Sequence, residues 1–179
     1  GARTPGRWLI DAPFCPAWGP LPILGDAGWS RRCPNCGRQH FPRTDPAVIV
    51  AITSADDPDL LLLGSNALWG ADRFSCFAGF VEAGESLEAA VRREVAEESG
   101  VEVGTVTYRG SQAWPYPRSL MVGFLAQSQD DAAARADGEE IAAIRWFTRE
   151  EIGRALAGDG DVVLPGRASI AHRLIADWH

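Results

Sequence analysis

The stretch that decides the fold runs from Gly79 to Val101 and reads Gly-Phe-Val-Glu-Ala-Gly-Glu-Ser-Leu-Glu-Ala-Ala-Val-Arg-Arg-Glu-Val-Ala-Glu-Glu-Ser-Gly-Val. Glycines in its first part allow a tight turn and a close approach of the backbone. Ser86 is a favourable residue for capping the start of a helix, and Gly100 is of the type that commonly ends one. The pattern predicts a loop followed by a helix over residues 87–99.

The acidic residues of this helix are placed unusually. Glu94, Glu97 and Glu98 stand three and four residues apart and therefore share one helical face. Carboxylates that point inward repel one another and are costly to desolvate unless a cation neutralises them. Oxygen ligands suit Mg²⁺ or Mn²⁺, so we predict a metal site; the alternative is a solvated surface helix rich in glutamate. The apolar side that the acidic face overlaps consists of Leu87, Ala90, Val91 and Val95.

The spacing of Gly79, Glu85 and the run Arg93–Val101 resembles the Nudix box without a departure. The resemblance implies hydrolysis of a diphosphate linked to a nucleoside moiety, with the help of a divalent metal ion. We expect Arg93 to pair with Glu85 or another acid and to shape the loop. The alternative is that Arg93 contacts a substrate phosphate directly.

The candidate catalytic residues are all glutamates. Glu94 and Glu98 are the first choices for metal ligands, and Glu97 is either a third ligand or the base that activates water. The resemblance adds two ligands, the backbone carbonyl of Ala78 and the side chain of Glu140. From the residues alone, Glu140 is only an exposed acid before a strand.

A second motif, Ser111-Gln-Ala-Trp-Pro-Tyr-Pro-Arg-Ser119, follows the helix. Two prolines and two aromatic residues predict a stiff loop, with a packed Trp-Pro turn as the alternative. The segment resembles the Ser-Gln-Pro-Trp-Pro-Phe-Pro-x-Ser signature of NADH pyrophosphatases, with Ala113 in place of a proline and Tyr116 in place of phenylalanine. This resemblance implies cleavage of NADH or NAD into nicotinamide mononucleotide and AMP, and further implies NAD-capped RNA 5′ ends as a substrate.

The same resemblance implies how the substrate is held. Phe80 matches an aromatic residue that stacks on a base, Phe41 matches one supplied by a neighbouring subunit, and Ala171 matches a main-chain contact. Because Phe41 has this role only across subunits, a homodimer is implied. The substrate-binding residues implied by the resemblance are Phe41, Phe80, Gln112, Ala113, Trp114, Pro115, Tyr116, Pro117, Arg118, Ser119, Glu140 and Ala171.

Three other functions compete with this interpretation. A Nudix enzyme for another nucleoside diphosphate, such as ADP-ribose or a diadenosine compound, is the nearest. A non-catalytic nucleotide- or RNA-binding module would be expected to lose some of the three helix glutamates, and none is lost. A zinc-dependent interaction module that uses the Nudix part as a scaffold would be expected to keep all four zinc ligands.

Residues 1–45 are rich in proline, glycine and tryptophan and lack regular periodicity, which predicts irregular structure with short strands in a small module like a zinc ribbon. Within it, the Cys33–Gly37 segment resembles one zinc knuckle, and Cys15 is a third candidate ligand. Trp18 stands where a second Cys-x-x-Cys would place its other cysteine, and His40 is the remaining nearby donor. The alternative is a module without zinc that folds around its tryptophans, Trp8, Trp18 and Trp29.

Residues 46–179 are predicted to form the Nudix domain, an α/β/α sandwich of the α/β (α+β) class with a mixed β-sheet. A continuous apolar run over residues 46–53 predicts a strand buried on both faces. Cys76 is expected to be a core residue. Further strands are predicted over residues 60–63, 103–109, 120–126 and 141–147, residues 74–80 lead into the box, and further helices are predicted over residues 149–157 and 169–178.

The composition narrows the choice of function. The net charge is −7, with 24 acidic and 17 basic residues, which argues against a nucleic-acid-binding or membrane-binding surface of the basic type. All basic residues are arginine, which excludes a Walker A lysine and Schiff-base chemistry. Four cysteines are too few for a disulfide scaffold, and no apolar run approaches 18 residues, so we expect a cytoplasmic protein. Because the chain begins at Gly1, we expect a fragment or processed form.

Overall fold

The computed structural model describes residues 3–179, with side chains from Gly6 onward. Contacts divide the chain into two units. The smaller unit comprises residues up to Asp45 together with Ala113–Leu120, and the larger comprises Pro46–Gln112 and Met121–His179. Among the described residues, no helix has the length and apolar character needed to cross a bilayer.

The described chain forms helices and strands in the following order. The helices are α1 (Arg3–Asp11), α2 (Leu87–Ser99), α3 (Arg149–Ala157) and α4 (Ile170–Trp178). The strands are β1 (Ile23–Gly25), β2 (Ser30–Arg32), β3 (Gln39–His40), β4 (Asp45–Thr53), β5 (Leu60–Asn66), β6 (Phe77–Phe80), β7 (Val103–Trp114), β8 (Ser119–Ser128) and β9 (Ile141–Thr148). The expected α+β class is therefore confirmed.

The smaller unit contains helix α1 and an antiparallel sheet of order β1-β2-β3. Trp8 of α1 is buried, and the Arg31 guanidinium lies 3.9 Å from the centre of its indole ring. The short strands were expected, but the helix was not, so the prediction of irregular structure is wrong over α1. Its first turns contain Pro5 and Gly6, two residues that count against a helix when only sequence is considered.

The larger unit is built on a six-stranded sheet of order β7-β8-β4-β5-β9. Strand β6 pairs antiparallel with the first part of β4, whereas β5 pairs with its end. Residues 47–52 of β4 are all buried, as predicted for a strand covered on both faces. Ile49 and Ala51 pack with residues of α3 and α4 in one core cluster. Because side chains alternate along a strand, Val48 and Val50 point to the opposite face.

The predicted ends of the helices are confirmed. The Ser86 hydroxyl accepts a hydrogen bond from the backbone N–H of Ala89 at 3.1 Å, and Gly100 closes α2 with a left-handed φ of 69°. Thr148 and Glu151 form the capping box that opens α3. Helix α2 buries the apolar residues Ala90, Val91 and Val95 and contacts strand β6.

The second motif differs from its prediction. Residues 111–114 were expected to lie in a loop, but they continue strand β7, and only residues 115–118 form the turn before β8. The strand stops where the first proline, Pro115, removes a backbone donor from the ladder. The motif is therefore a β-hairpin with a four-residue tip.

Candidate active site

Helix α2 places its three glutamates in different environments. Glu98 is only 5% exposed, and the Glu94 side chain is 13% exposed. The Glu97 side chain is 61% exposed, so the expectation that all three point inward is wrong for this residue. Along the helix, Glu94 and Glu98 are one turn apart, whereas Glu97 is rotated towards solvent. The structure thus brings together two of the three predicted carboxylates.

Strand β6 supplies the floor beneath Glu94. A Cβ atom added to Gly79 would lie 1.9 Å from the Glu94 carboxylate carbon and about as close to both of its oxygens, at 2.1 and 2.2 Å. Gly79 is therefore required by the close approach of this side chain and not by a turn, since it lies within a strand. The turn is made by Gly84, whose φ is 88°. Ala78, the predicted carbonyl ligand, is the neighbour of Gly79 in the same strand.

Glu98 is buried among other acidic side chains. Burial, and to a smaller extent the negative charges of Glu94, Glu140 and Asp137, raise the pKa of Glu98 to about 8, although a backbone hydrogen bond with Ala78 partly opposes them. One carboxylate oxygen of Glu98, Oε2, is buried without a hydrogen-bond partner within the described part of the chain. A buried, unpaired carboxylate oxygen next to other acids fits a divalent cation, because oxygen ligands are those that Mg²⁺ and Mn²⁺ prefer.

The pKa of Glu94 is subject to two opposing effects, burial and the nearby Arg93. Burial raises the pKa of Glu94, and Arg93 lowers it in part through a hydrogen bond. Arg93 Nη1 lies 2.9 Å from Glu94 Oε1 and 3.1 Å from Glu97 Oε2. This arginine therefore holds the Glu94 carboxylate against strand β6, whereas Glu98 has no arginine partner among the residues whose side chains the structure describes.

Arg93 also joins the helix to the glycine-rich loop. Its Nε and Nη2 donate to the two carboxylate oxygens of Glu85 at 2.9 and 3.0 Å, and Nη2 also donates to the carbonyl oxygen of Phe80 at 2.9 Å. The predicted pair with Glu85 is confirmed. The bidentate contact lowers the pKa of Glu85 and raises that of Arg93. Because all three guanidinium nitrogens have protein partners, Arg93 serves to orient the loop and the carboxylates.

Glu140 lies immediately before strand β9 and is exposed. Its charge raises the pKa of both Glu94 and Glu98, which places it within electrostatic reach of them. The Asp137 carboxylate shapes this segment by accepting the backbone N–H groups of Glu139 and Ile141 at 2.9 Å and that of Glu140 at 3.4 Å. Sequence reasoning missed Asp137. The signal was present in the Asp137-Gly pair, since aspartate before glycine favours such turns.

The predicted substrate residues of the larger unit have distinct environments. The Phe80 ring is exposed. The Gln112 amide donates to the carbonyl oxygen of Ala168 at 2.7 Å and accepts the N–H of Ile170 at 2.8 Å, so it anchors the start of helix α4. Ala171 is buried in the core cluster beside it.

The remaining substrate candidates belong to the smaller unit. Phe41 is exposed, and the rings of Trp114 and Tyr116 meet edge to face at 6.0 Å between centroids. The Arg118 Nε donates to Asp45 Oδ2 at 2.8 Å, which fixes the hairpin tip to the start of β4. The other members occupy the hairpin itself, namely Ala113 on β7, Pro115 and Pro117 in the turn, and Ser119 at the start of β8.

The cysteines also separate into two groups. The Sγ atoms of Cys15, Cys33 and Cys36 lie within 4.8 Å of one another. Neither His40 nor any other histidine or acid joins this cluster within residues 3–179. Cys76 is buried in the core, where desolvation raises the pKa of its thiol to about 12, so its expected structural role is confirmed.

Comparison with known proteins agrees with this geometry. The NUDIX domain family matches residues 43–164. The chain is 47% identical to the NAD-capped RNA hydrolase NudC of Mycobacterium bovis, over 96% of this chain and 56% of that protein. It is 40% identical to the human NAD-capped RNA hydrolase NUDT12, over 99% of this chain and 40% of that protein. The chain therefore spans about half of the length of such relatives.

The fold also resembles solved structures. A NUDIX hydrolase from Nitrosomonas europaea superposes with a TM-score of 0.60, covering 84% of this chain and 96% of that one, at 21% sequence identity. This likeness concerns the fold, including the mixed sheet and its helices. Together with the box on α2, the match to the NUDIX domain across residues 43–164 shows that the chain belongs to the Nudix family.

Proposed function

We propose that the chain is a metal-dependent hydrolase that cleaves the diphosphate of NADH or NAD into nicotinamide mononucleotide and AMP. The observation that carries the proposal is the pair of carboxylates on α2, the half-buried Glu94 and the buried Glu98, of which Glu98 has a pKa raised to about 8 and one oxygen without a hydrogen-bond partner among the described residues. The names of the relatives supply the substrate class, since both are NAD-capped RNA hydrolases.

The chain's own residues would hold the metal ion. Glu94, Glu98, Glu140 and the carbonyl oxygen of Ala78 are proposed as ligands of Mg²⁺ or Mn²⁺, with Glu97 as a further ligand or the base. When bound, such an ion neutralises charge on the diphosphate and lowers the pKa of a bound water. Glu97 suits the role of base because its exposed carboxylate can meet solvent water, although it is tied to Arg93 at 3.1 Å.

The substrate would be held by aromatic groups and the hairpin tip. The exposed ring of Phe80 is available to stack on a base, an interaction worth about 1–3 kcal/mol for nucleobases. We further propose a homodimer in which Phe41 of one subunit serves the site of the other. Gln112 would act by holding the start of α4, next to Ala171, since both ends of its amide are engaged there. Trp114 and its neighbours at the hairpin tip, residues 115–119, complete the proposed substrate loop.

NAD-capped RNA is the second substrate of this proposal, because the relatives carry that name. A net charge of −7 disfavours a long electrostatic grip on the RNA backbone. The RNA would therefore be recognised mainly at its cap. The proposed place of action is the cytoplasm.

The test is release of AMP from NADH with Mg²⁺ or Mn²⁺. We expect efficient cleavage, and a loss of about 10²-fold or more in Glu98→Gln, as removal of one charge-stabilising group typically gives. Glu102→Gln is the matched control, because Glu102 is an exposed glutamate just beyond the helix.

ADP-ribose is the competing substrate in the same assay. A strong preference for ADP-ribose would assign the chain to another nucleoside diphosphate and reject the NADH proposal. Failure of the folded protein to cleave either compound with added metal would identify a binding module instead.

A further inference from the structure

The smaller unit builds the same turn twice. The segments Cys15-Pro-Ala-Trp-Gly19 and Cys33-Pro-Asn-Cys-Gly37 share cysteine, proline and glycine at equal positions. Each glycine is left-handed, with φ of 80° and 70°, and each donates its N–H to the carbonyl oxygen of the first cysteine, at 2.8 and 3.0 Å. These are two knuckles with one backbone geometry. Only the second carries both cysteines, because Trp18 takes the place of the fourth.

The three thiols are arranged as three corners of a metal site. Cys15 and Cys33 are almost fully buried, and the Sγ atoms of Cys15 and Cys36 are 3.9 Å apart. Zinc–sulfur bonds of about 2.3 Å in a tetrahedron separate the sulfurs by about 3.8 Å. The observed separation therefore suits one zinc ion between the thiolates.

The fourth corner has no protein ligand among the described residues. The Trp18 side chain is 63% exposed, and its indole N–H can only donate a hydrogen bond. His40 does not come within the distance that would make it a ligand with the three thiols. Structural zinc sites are normally closed by four protein ligands, whereas an open position is typical of zinc sites that take an exogenous ligand.

We propose that Cys15, Cys33 and Cys36 bind Zn²⁺ with one open coordination position, which a small exogenous thiol occupies in preference to water. The zinc of this module is then an exchangeable, ligand-responsive ion. The preference for a thiol follows from the three soft ligands already present, which leave a soft fourth ligand as the best complement.

The test uses the whole chain with Co²⁺ in place of Zn²⁺ and follows its absorption spectrum while 2-mercaptoethanol is added. In the wild type we expect the thiolate-to-cobalt charge-transfer band to grow by about one third, as three sulfur ligands become four. Trp18→Cys, which supplies the missing cysteine, should show the larger band at once and no response to added thiol. Trp18→Phe is the matched control and should behave like the wild type.

Zinc affinity gives an independent measurement by competition with a chromophoric chelator. We expect Trp18→Cys to bind Zn²⁺ about tenfold more tightly, or better, than the wild type. Cys36→Ser should lose the ion, with circular dichroism to confirm that the larger unit is folded.

Two results would overturn the proposal. One is a wild-type cobalt spectrum that ignores added thiol but changes in His40→Ala, which would show that His40 closes the site. The other is a folded wild type that binds neither ion, which would make the cluster a set of packed thiols.

Discussion

Gly79→Ala is the sharpest single test of the proposed site, because the Glu94 carboxylate lies where the new methyl group would be. The methyl carbon of the alanine would stand 1.9 Å from the Glu94 carboxylate carbon, and ordinary van der Waals contact begins at 3.4 Å. The carboxylate must therefore move away from Gly79 by about 1.5 Å. A misplacement of about 1 Å in an active site can cost about 10²-fold in rate.

We therefore expect Gly79→Ala to lose about 10²-fold in kcat/KM for NADH, with a smaller effect on folding. Overpacking of this kind costs about 1–3 kcal/mol in the free energy of unfolding, which thermal or denaturant unfolding would measure. Gly166→Ala is the matched control, because a Cβ at that position meets no atom within 4 Å. It should retain wild-type kinetics.

A double-mutant cycle separates the steric explanation from general damage. Glu94→Asp shortens the side chain by one methylene, about 1.5 Å, which matches the retreat required by the new methyl group. If the clash causes the loss, Gly79→Ala combined with Glu94→Asp should be no worse than Glu94→Asp alone. Losses that simply multiply, or a Gly79→Ala protein with wild-type kcat/KM, would refute the reasoning.

Two further predictions concern charge and positioning. In EDTA, the folded state binds a proton at Glu98 that the unfolded state has released, because the pKa is about 8 in the fold against 4.5 for the ordinary group. The free energy of unfolding should therefore fall as pH rises from 5 to 8, by at most about 1.4 kcal/mol per pH unit. In Glu98→Gln this decrease with pH should be smaller. Equal slopes for the wild type and the variant would contradict the prediction. Asp137→Ala should weaken Mn²⁺ binding about 10- to 100-fold by releasing the turn before Glu140, and Asp137→Asn, which keeps an acceptor oxygen, should recover part of it in calorimetric titration.

The parts of the fold that depend on local chemistry could be predicted from the sequence. Ser86 and Gly100 bound helix α2 because a hydroxyl satisfies free N–H groups and a glycine accepts a left-handed φ, and neither effect needs distant contacts. The helix α1 could not be predicted, since its first turns include Pro5 and Gly6. It is stabilised by a tertiary contact, the burial of Trp8 under the guanidinium of Arg31.

The candidate site shows the same division. The spacing of the helix glutamates identified the acidic face. The rotation of about 100° per residue in an α-helix could not show which of these glutamates lies against the sheet. Packing against strand β6 determines the orientation, because the Glu94 carboxylate lies against Gly79 while the Glu97 side chain is exposed to solvent. Asp137 was missed because its effect on Glu140 passes through backbone hydrogen bonds, which leave no periodic pattern.

The arrangement of charges around helix α2 explains how its glutamates can lie close to the protein core. Arg93 forms ion pairs with Glu85, Glu94 and Glu97, so one positive charge partly neutralises three carboxylates. Glu98 does not take part in these ion pairs and is neutralised by protonation instead. Because burial and the neighbouring acids raise the pKa of Glu98 to about 8, a bound proton neutralises this carboxylate at neutral pH, as a cation otherwise would. If Glu98 were to lose this proton and serve as a ligand of the proposed divalent ion, the same burial that disfavours a bare carboxylate would favour its bond to the metal, because little water competes for either charge. The cost of burying Glu98 is thus also the reason for its proposed affinity for the ion.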